Sequence, residues 1–179
     1  MKKFIVATSV IGLMLFSGVA LASTDDLPDA GITPDSPLYF LDNAGESINE
    51  FFSLSHESKS EKKLKHAEEK LAEAKKMAEE GKTDATEVAE KKYEEKLDGA
   101  TEEAKLTGKE NALQRIEEAT IRHQAVMERV LSQVPEQAKA SIQKAMDKSS
   151  KGHQNATDAI NKVKANQTKN SGSNSNKPE

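Results

Sequence analysis

Cysteine and tryptophan are both absent from this sequence. Without cysteine there is no disulfide framework, no thiolate metal site, no cysteine nucleophile and no N-terminal cysteine to carry a lipid. Aromatic residues make up only 4%, and nine glycines and five prolines are spread over 179 positions. Such scarcity disfavours sandwiches, barrels and doubly wound sheets and suits long solvated helices. A basic surface is missing as well: 26 Lys and Arg face 30 Asp and Glu, a net charge of −4. The signs are interspersed, and two tyrosines with five phenylalanines make no stacking platform, so nucleic acid is not an expected partner.

What is present begins with a targeting signal. Lys2 and Lys3 precede an apolar run from Phe4 to about Val19, and Ala20, Leu21 and Ala22 form a small-x-small cleavage pattern. The expectation is a signal peptide over residues 1–22, cleaved to start the chain at Ser23. The alternative is an uncleaved anchor, since the run approaches the ~20 residues that span a bilayer. Loss of Lys2 and Lys3 leaves 24 basic against 30 acidic groups, a net charge of −6. No later segment is apolar enough to span, so the chain is expected to be secreted, periplasmic or extracellular.

The remainder predicts an all-α fold: a short N-terminal helix plus about four long antiparallel helices with heptad patterning, as an elongated bundle or paired hairpins. Residues 23–35 read as an extended leader, 36–165 as the helical domain, and 166–179, which lack a packed apolar set, as a disordered tail. Ser36 and Pro37 read as N-cap and first position of the short helix. Leu41, Ala44, Ile48 and Phe51 or Phe52 then fall on one face, whose apolar side is expected to dock on the bundle. The alternative is that its aromatics, Tyr39, Phe40, Phe51 and Phe52, bind a partner. A second helix follows Ser55 with a seam of Leu64, Ala67, Leu71, Ala74 and Ala78, and Gly81 suits the position after its end. The run from Asp84 to Glu87 resembles a capping box for a third helix, which carries Tyr93, Leu97, Ala100 and Ala104 and fades near Gly108. The fourth helix has a regular seam of Leu113, Ile116, Thr120, His123, Met127, Val130 and Val134. Pro135 breaks it, and a fifth runs through Ala138, Ile142, Ala145, Ser149, Gly152, Ala156, Ala159 and Val163. The core is rich in alanine, hence thin.

Little here carries chemistry. Nucleophilic triads, Gly-rich phosphate loops and paired catalytic carboxylates are not visible, and no catalytic residue or cofactor is expected. The four histidines, His56, His66, His123 and His153, lack the His-x-x-x-His and Glu-x-x-His spacings of helical metal sites. His66 with Glu69 is an i, i+3 pair able to share an ion weakly, though Glu is so common here that the pairing is nearly unavoidable. His123 lies on an apolar seam, where a hydrogen-bonded core histidine is commoner than a ligand, and where protonation would disturb packing. Pairs such as Glu61 with Lys65 and Glu87 with Lys91 read as helix support. The tripeptides starting at Asn155 and Asn166 fit the N-glycosylation pattern, which an Asn-rich segment produces by chance.

Two stretches carry a resemblance. The run from Ile32 to Tyr39 (ITPDSPLY) and that from Ala67 to Glu73 (AEEKLAE) resemble a family of exported microbial helical proteins catalogued only as a domain of unknown function. Lys70 stands where the family usually has Arg, and the stretch from Val134 to Ala138 with Ile142 and Ala145 is similar to its C-terminal part. The resemblance spans roughly residues 28–160 and implies envelope sensing or interaction, since some relatives sit outside a membrane behind one anchor. It supplies no catalytic residues. The expected function is therefore an exported, non-enzymatic binding or scaffold protein with an unknown protein partner. The competing expectation is an envelope stress or metal-handling protein, similar in style to periplasmic helical-hairpin chaperones.

Overall fold

The computed structural model describes residues 27–173, with side chains to 169; the signal peptide expected over residues 1–22, the first residues of the expected leader and the end of the expected tail lie outside them. Five helices follow one another: α1 Tyr39–Phe51, α2 His56–Glu79, α3 Thr83–Thr107, α4 Glu110–Gln133 and α5 Glu136–Ser173. The described residues contain no strand. α2 packs mainly on α3 and α4 on α5, and α3 against α5 joins the two hairpins into an all-α bundle.

Local chemistry explains the boundaries. Ser55 is extended and its side chain accepts the Ser58 N–H, capping α2 at its start. At the other end the Gly81 N–H bonds the Ala78 carbonyl and the Lys82 N–H reaches back to Met77. These two bonds form a Schellman motif, made possible by Gly81 at φ 71°. Gly108, at φ 63°, ends α3 in the same left-handed conformation. Pro135 follows an extended Val134, and α5 starts at the next residue. The tight links hold α2 and α3 antiparallel, as they do α4 and α5.

Three boundary expectations shift. α1 begins at Tyr39, with Leu38 rather than Ser36 at its N-cap. Residues 33–39 first make consecutive turns, the Ser36 N–H bonding the Thr33 carbonyl and the Tyr39 N–H the Ser36 carbonyl. α3 begins at Thr83 after Lys82, so Asp84 lies inside the first turn and caps nothing through its side chain. There its charge still favours the positive end of the helix dipole. α5 continues through residues 166–173, into the stretch expected to be tail, with its described side chains there exposed.

The core follows the heptad seams. All seven seam residues of α4, from Leu113 to Val134, are buried, with Ala67, Leu71, Ala78, Tyr93, Leu97, Ala100, Ala104, Ala138, Ile142 and Ala145 against them. Alanine dominates, so the helices approach closely. A Cβ on Gly152 would stand 3.1 Å from Leu97 Cδ2 and 3.4 Å from Thr120 Cγ2. Among the described Phe and Tyr residues, Tyr93 alone belongs to this core. The leader is not free of the bundle: Leu27 packs on the core and Lys82 Nζ meets Asp35 Oδ2 at 2.7 Å.

Candidate partner-binding helix and its charged seat

α1 is amphipathic as the sequence implies, but it is turned the other way. Asp42, Glu46 and Glu50 recur every four residues and so share one face of the helix. That face lies against α2 and α3, where Lys70 and Lys96 meet it. Lys70 is fully buried; its Nζ stands 2.7 Å from Glu46 Oε1, 2.7 Å from Glu73 Oε1 and 3.3 Å from Asp42 Oδ2. Lys96 Nζ lies 2.6 Å from Glu50 Oε1 and 3.1 Å from Glu46 Oε2. His66 Nδ1 approaches Glu50 Oε1 at 2.7 Å, and Lys62 Nζ donates to the Asn49 carbonyl at 3.0 Å. Tyr39 donates its hydroxyl to Glu73 Oε2 at 3.0 Å, and Lys70 Nζ sits 4.8 Å from the centre of its ring.

The expected docking of the apolar side is thus overturned. An isolated buried ammonium is costly, and only carboxylates at hydrogen-bond distance offset that cost. Lys70 and Lys96 therefore draw the acidic face inward, and the apolar face is left in solvent. Phe40 is 67% exposed, Phe51 79% and Phe52 72%, with Leu38, Leu41, Ile48 and Leu54 also exposed. Phe51 and Phe52 stack edge to face at 5.6 Å between ring centres. Tyr39, grouped with these aromatics in the sequence, is half-buried and belongs to the charged seat instead.

Four carboxylates surround two ammonium groups, and the imbalance has electrostatic consequences. Burial pulls Lys70 downward, but Glu46 and Glu73 outweigh it and hold the ammonium above its ordinary range. The same balance, with Glu50 and Glu46, lifts Lys96. Burial would raise Glu50, yet its hydrogen bonds to Lys96 and His66 keep it low. Glu73 takes the excess: burial pushes its carboxyl up to about 7, against the pull of Lys70. Burial, then Glu73, raise the Tyr39 hydroxyl. Burial thus brings Glu73 towards its neutral form, while the carboxylates hold both lysines in their charged form.

Glu46, Glu50 and His66 bring three donor atoms within 4.8 Å of one another. Lys96 Nζ already contacts both of those glutamates, so the protein supplies the cation that such a donor set attracts. Glu69, the partner expected for His66, pairs with Lys65 at 3.5 Å. His123 lies apart in the core, 1% exposed, with Nδ1 3.0 Å from the Tyr93 hydroxyl and Nε2 3.7 Å from Glu68. A lone pair on Nδ1 can accept from Tyr93, whereas Nε2 is buried with Glu68 beyond hydrogen-bond distance, and burial holds the ring below its ordinary pKa of 6.5. Ser149 donates to the Thr120 carbonyl at 2.9 Å nearby. His56 pairs with Glu103 at 2.6 Å, and His153 lies 3.4 Å from Thr120 Oγ1. Of the surface pairs, Glu87 and Lys91 meet at 2.9 Å, whereas Glu61 turns to Arg115 across the α2–α4 contact.

The sequence singled out His66 but not its partners, because Glu50 is 16 positions away on another helix. Lys70 and Lys96 were missed as well. A lysine on the flank of an apolar seam signals a solvated stem, unless the acidic i, i+4 row of α1 is set against it. The two stretches that carry the resemblance do meet: Tyr39 of the first contacts Lys70 and Glu73 of the second. No described helix is long and apolar enough to cross a membrane.

Comparison with known sequences gives one result. A family described as a domain of unknown function, DUF5667, matches residues 31–137, from the leader through α4 to the start of α5. No curated protein and no solved structure matches the chain.

Proposed function

This chain belongs to the DUF5667 family, and from that premise we propose that it is an exported, non-enzymatic binding module whose α1 presents an apolar face to a protein partner in the cell envelope or outside it. One observation carries the reading. Glu46 and Glu50 are turned into the seat, Asp42 reaches Lys70 from its partly exposed edge, and the outer face of residues 37–55 carries no ionisable group. In a chain that is 31% charged, an uncharged strip of seven large exposed apolar side chains resembles the centre of an interface, where charged residues are depleted. The buried ion pairs hold the strip on a rigid support, which lowers the ordering cost of association.

Export is supported by the N-terminal pattern of Lys2, Lys3, the apolar run and Ala20 to Ala22, which lies outside the described residues. The non-enzymatic reading is supported by the placement of the polar groups. Glu68, His123 and Tyr93 line up in the order of a nucleophile-activating chain, yet Glu68 stands 3.7 Å from the ring, and His123 and Tyr93 are sealed in the core. Metal handling has weaker support, because a metal on Glu46, Glu50 and His66 would displace Lys96 from two carboxylates.

The test places a photoreactive phenylalanine at Phe51, and for comparison at Lys151, an exposed position of α5, in cells making the chain. Discrete protein adducts at position 51, absent at 151 and lost with Ile48→Glu, are expected. Adducts that are identical at both positions, or unchanged by Ile48→Glu, contradict a docking role for α1.

A further inference from the structure

We infer that the partner seated on α1 is a second copy of this chain, the two α1 helices crossing antiparallel at Gly45. The inference rests on the docking reading above and names its occupant. Three features of the face support it.

The first is charge. The chain carries a net −4, so two copies repel weakly as wholes, and their mixed charged surfaces offer no self-complementary patch. The outer face of α1 is the exception, because Asp42, Glu46 and Glu50 lie beneath it, bound to Lys70 and Lys96. A two-fold interface sets one patch against the same patch, and an uncharged apolar strip is complementary to itself.

The second is shape. α1 runs from Tyr39 to Phe51, which places Gly45 at its midpoint. A Cβ there would meet nothing within 4 Å, so no packing within the chain calls for glycine. Glycine in mid-helix is destabilising relative to alanine, and here it sits beside Ala44 in a notch. Along the helix Leu41 stands on one side of the notch and Ile48 and Phe52 on the other, with Phe40 and Phe51 flanking it on the Ala44 side. This bulky–small–bulky order reads alike from both ends. In an antiparallel crossing the notches meet at the centre, and the phenylalanines of each copy lie over the opposite end of its partner.

The third is size. An aromatic side chain buries ~150–250 Å². Phe40, Phe51 and Phe52, each at least two-thirds exposed, together with Leu38, Leu41, Ile48 and Leu54, offer several hundred Å² per copy. That approaches the ~800 Å² per partner of a standard interface.

The absence of cysteine makes the test direct. The chain, expressed from Met1 and purified, is examined by sedimentation equilibrium as wild type and as Ile48→Glu, each with its thermal melt. Single-cysteine variants Gly45→Cys and Leu38→Cys are then oxidised. The inference expects a wild-type mass twice that of Ile48→Glu, and a disulfide-linked dimer for Gly45→Cys. Leu38→Cys should stay unlinked, because an antiparallel crossing holds the two positions ~20 Å apart. Linkage of both cysteine variants overturns the antiparallel crossing. A wild-type monomer at every concentration overturns the second copy. If that monomer still binds an apolar dye or neutral phosphatidylcholine vesicles, and loses them in Ile48→Glu, the docking face survives with another occupant. A monomer whose melt collapses in Ile48→Glu overturns both readings, since Ile48 would then face the bundle.

Discussion

Glu73 lies between Lys70 and Tyr39, with both of its oxygens engaged, and burial still favours its neutral form. Its carboxyl is raised from 4.5 to about 7 by burial. Below pH 4.5 the residue is protonated in folded and unfolded chains alike. Between 4.5 and 7 only the folded chain keeps the proton, so its contribution to stability is lost as pH rises through that window. His123 works in the opposite sense. Its folded pKa is depressed, so the stability it contributes is present above 6.5 and is lost as pH falls. Glu73→Gln isolates the first effect, since glutamine does not titrate. The stability difference, wild type minus variant, should grow by on the order of 1–3 kcal/mol as pH drops from 7 to 4.5. Denaturant melts at pH 4.5, 5.5, 6.5 and 7.5 measure it, and a flat difference contradicts the protonation of Glu73.

At the scale of elements, α4 and α1 show what periodicity can and cannot say. For α4 the apolar stripe, the breaking proline and the small neighbours on α5 all point the same way, and the whole seam is buried as its spacing implies. For α1 the stripe is just as regular, but periodicity finds two faces without saying which one is wetted. That choice was made by Lys70 and Lys96, on other helices, and by the cost of leaving them unpaired. The α2 boundaries were legible because Ser55 and Gly81 act locally, whereas α1 starts late because turns within residues 33–39 come first. The close contact between the hairpins was legible only as a row of small residues on α5, and Gly152 now gives it a measurable consequence. Gly152→Val would press on Leu97 and Thr120, and overpacking of this kind costs about 1–3 kcal/mol. A thermal melt of that variant no lower than wild type contradicts the close approach of α5 to α3 and α4.

For the molecule as a whole, two kinds of adhesion divide the labour. The hairpins α2–α3 and α4–α5 are held by apolar seams, while α1 is fixed by buried charge and keeps its apolar side in solvent. The all-α architecture was legible from composition and spacing. The site was legible only in its parts, as aromatics on one short helix and a histidine on the next, because the ion pairs that join them span separations of up to 50 positions, from Glu46 to Lys96. The inward turn of the α1 carboxylates is the central claim, and the most direct measurement of it is a double-mutant cycle on Glu46→Gln and Lys70→Met. Groups in direct contact couple by about 0.5–3 kcal/mol, whereas distant ones add to within ~0.3–0.5 kcal/mol. Coupling in the first range, with Ile48→Glu additive to either variant, is the predicted result. Additivity of Glu46→Gln and Lys70→Met would place Glu46 in solvent, and α1 would then rest on the bundle by its apolar face.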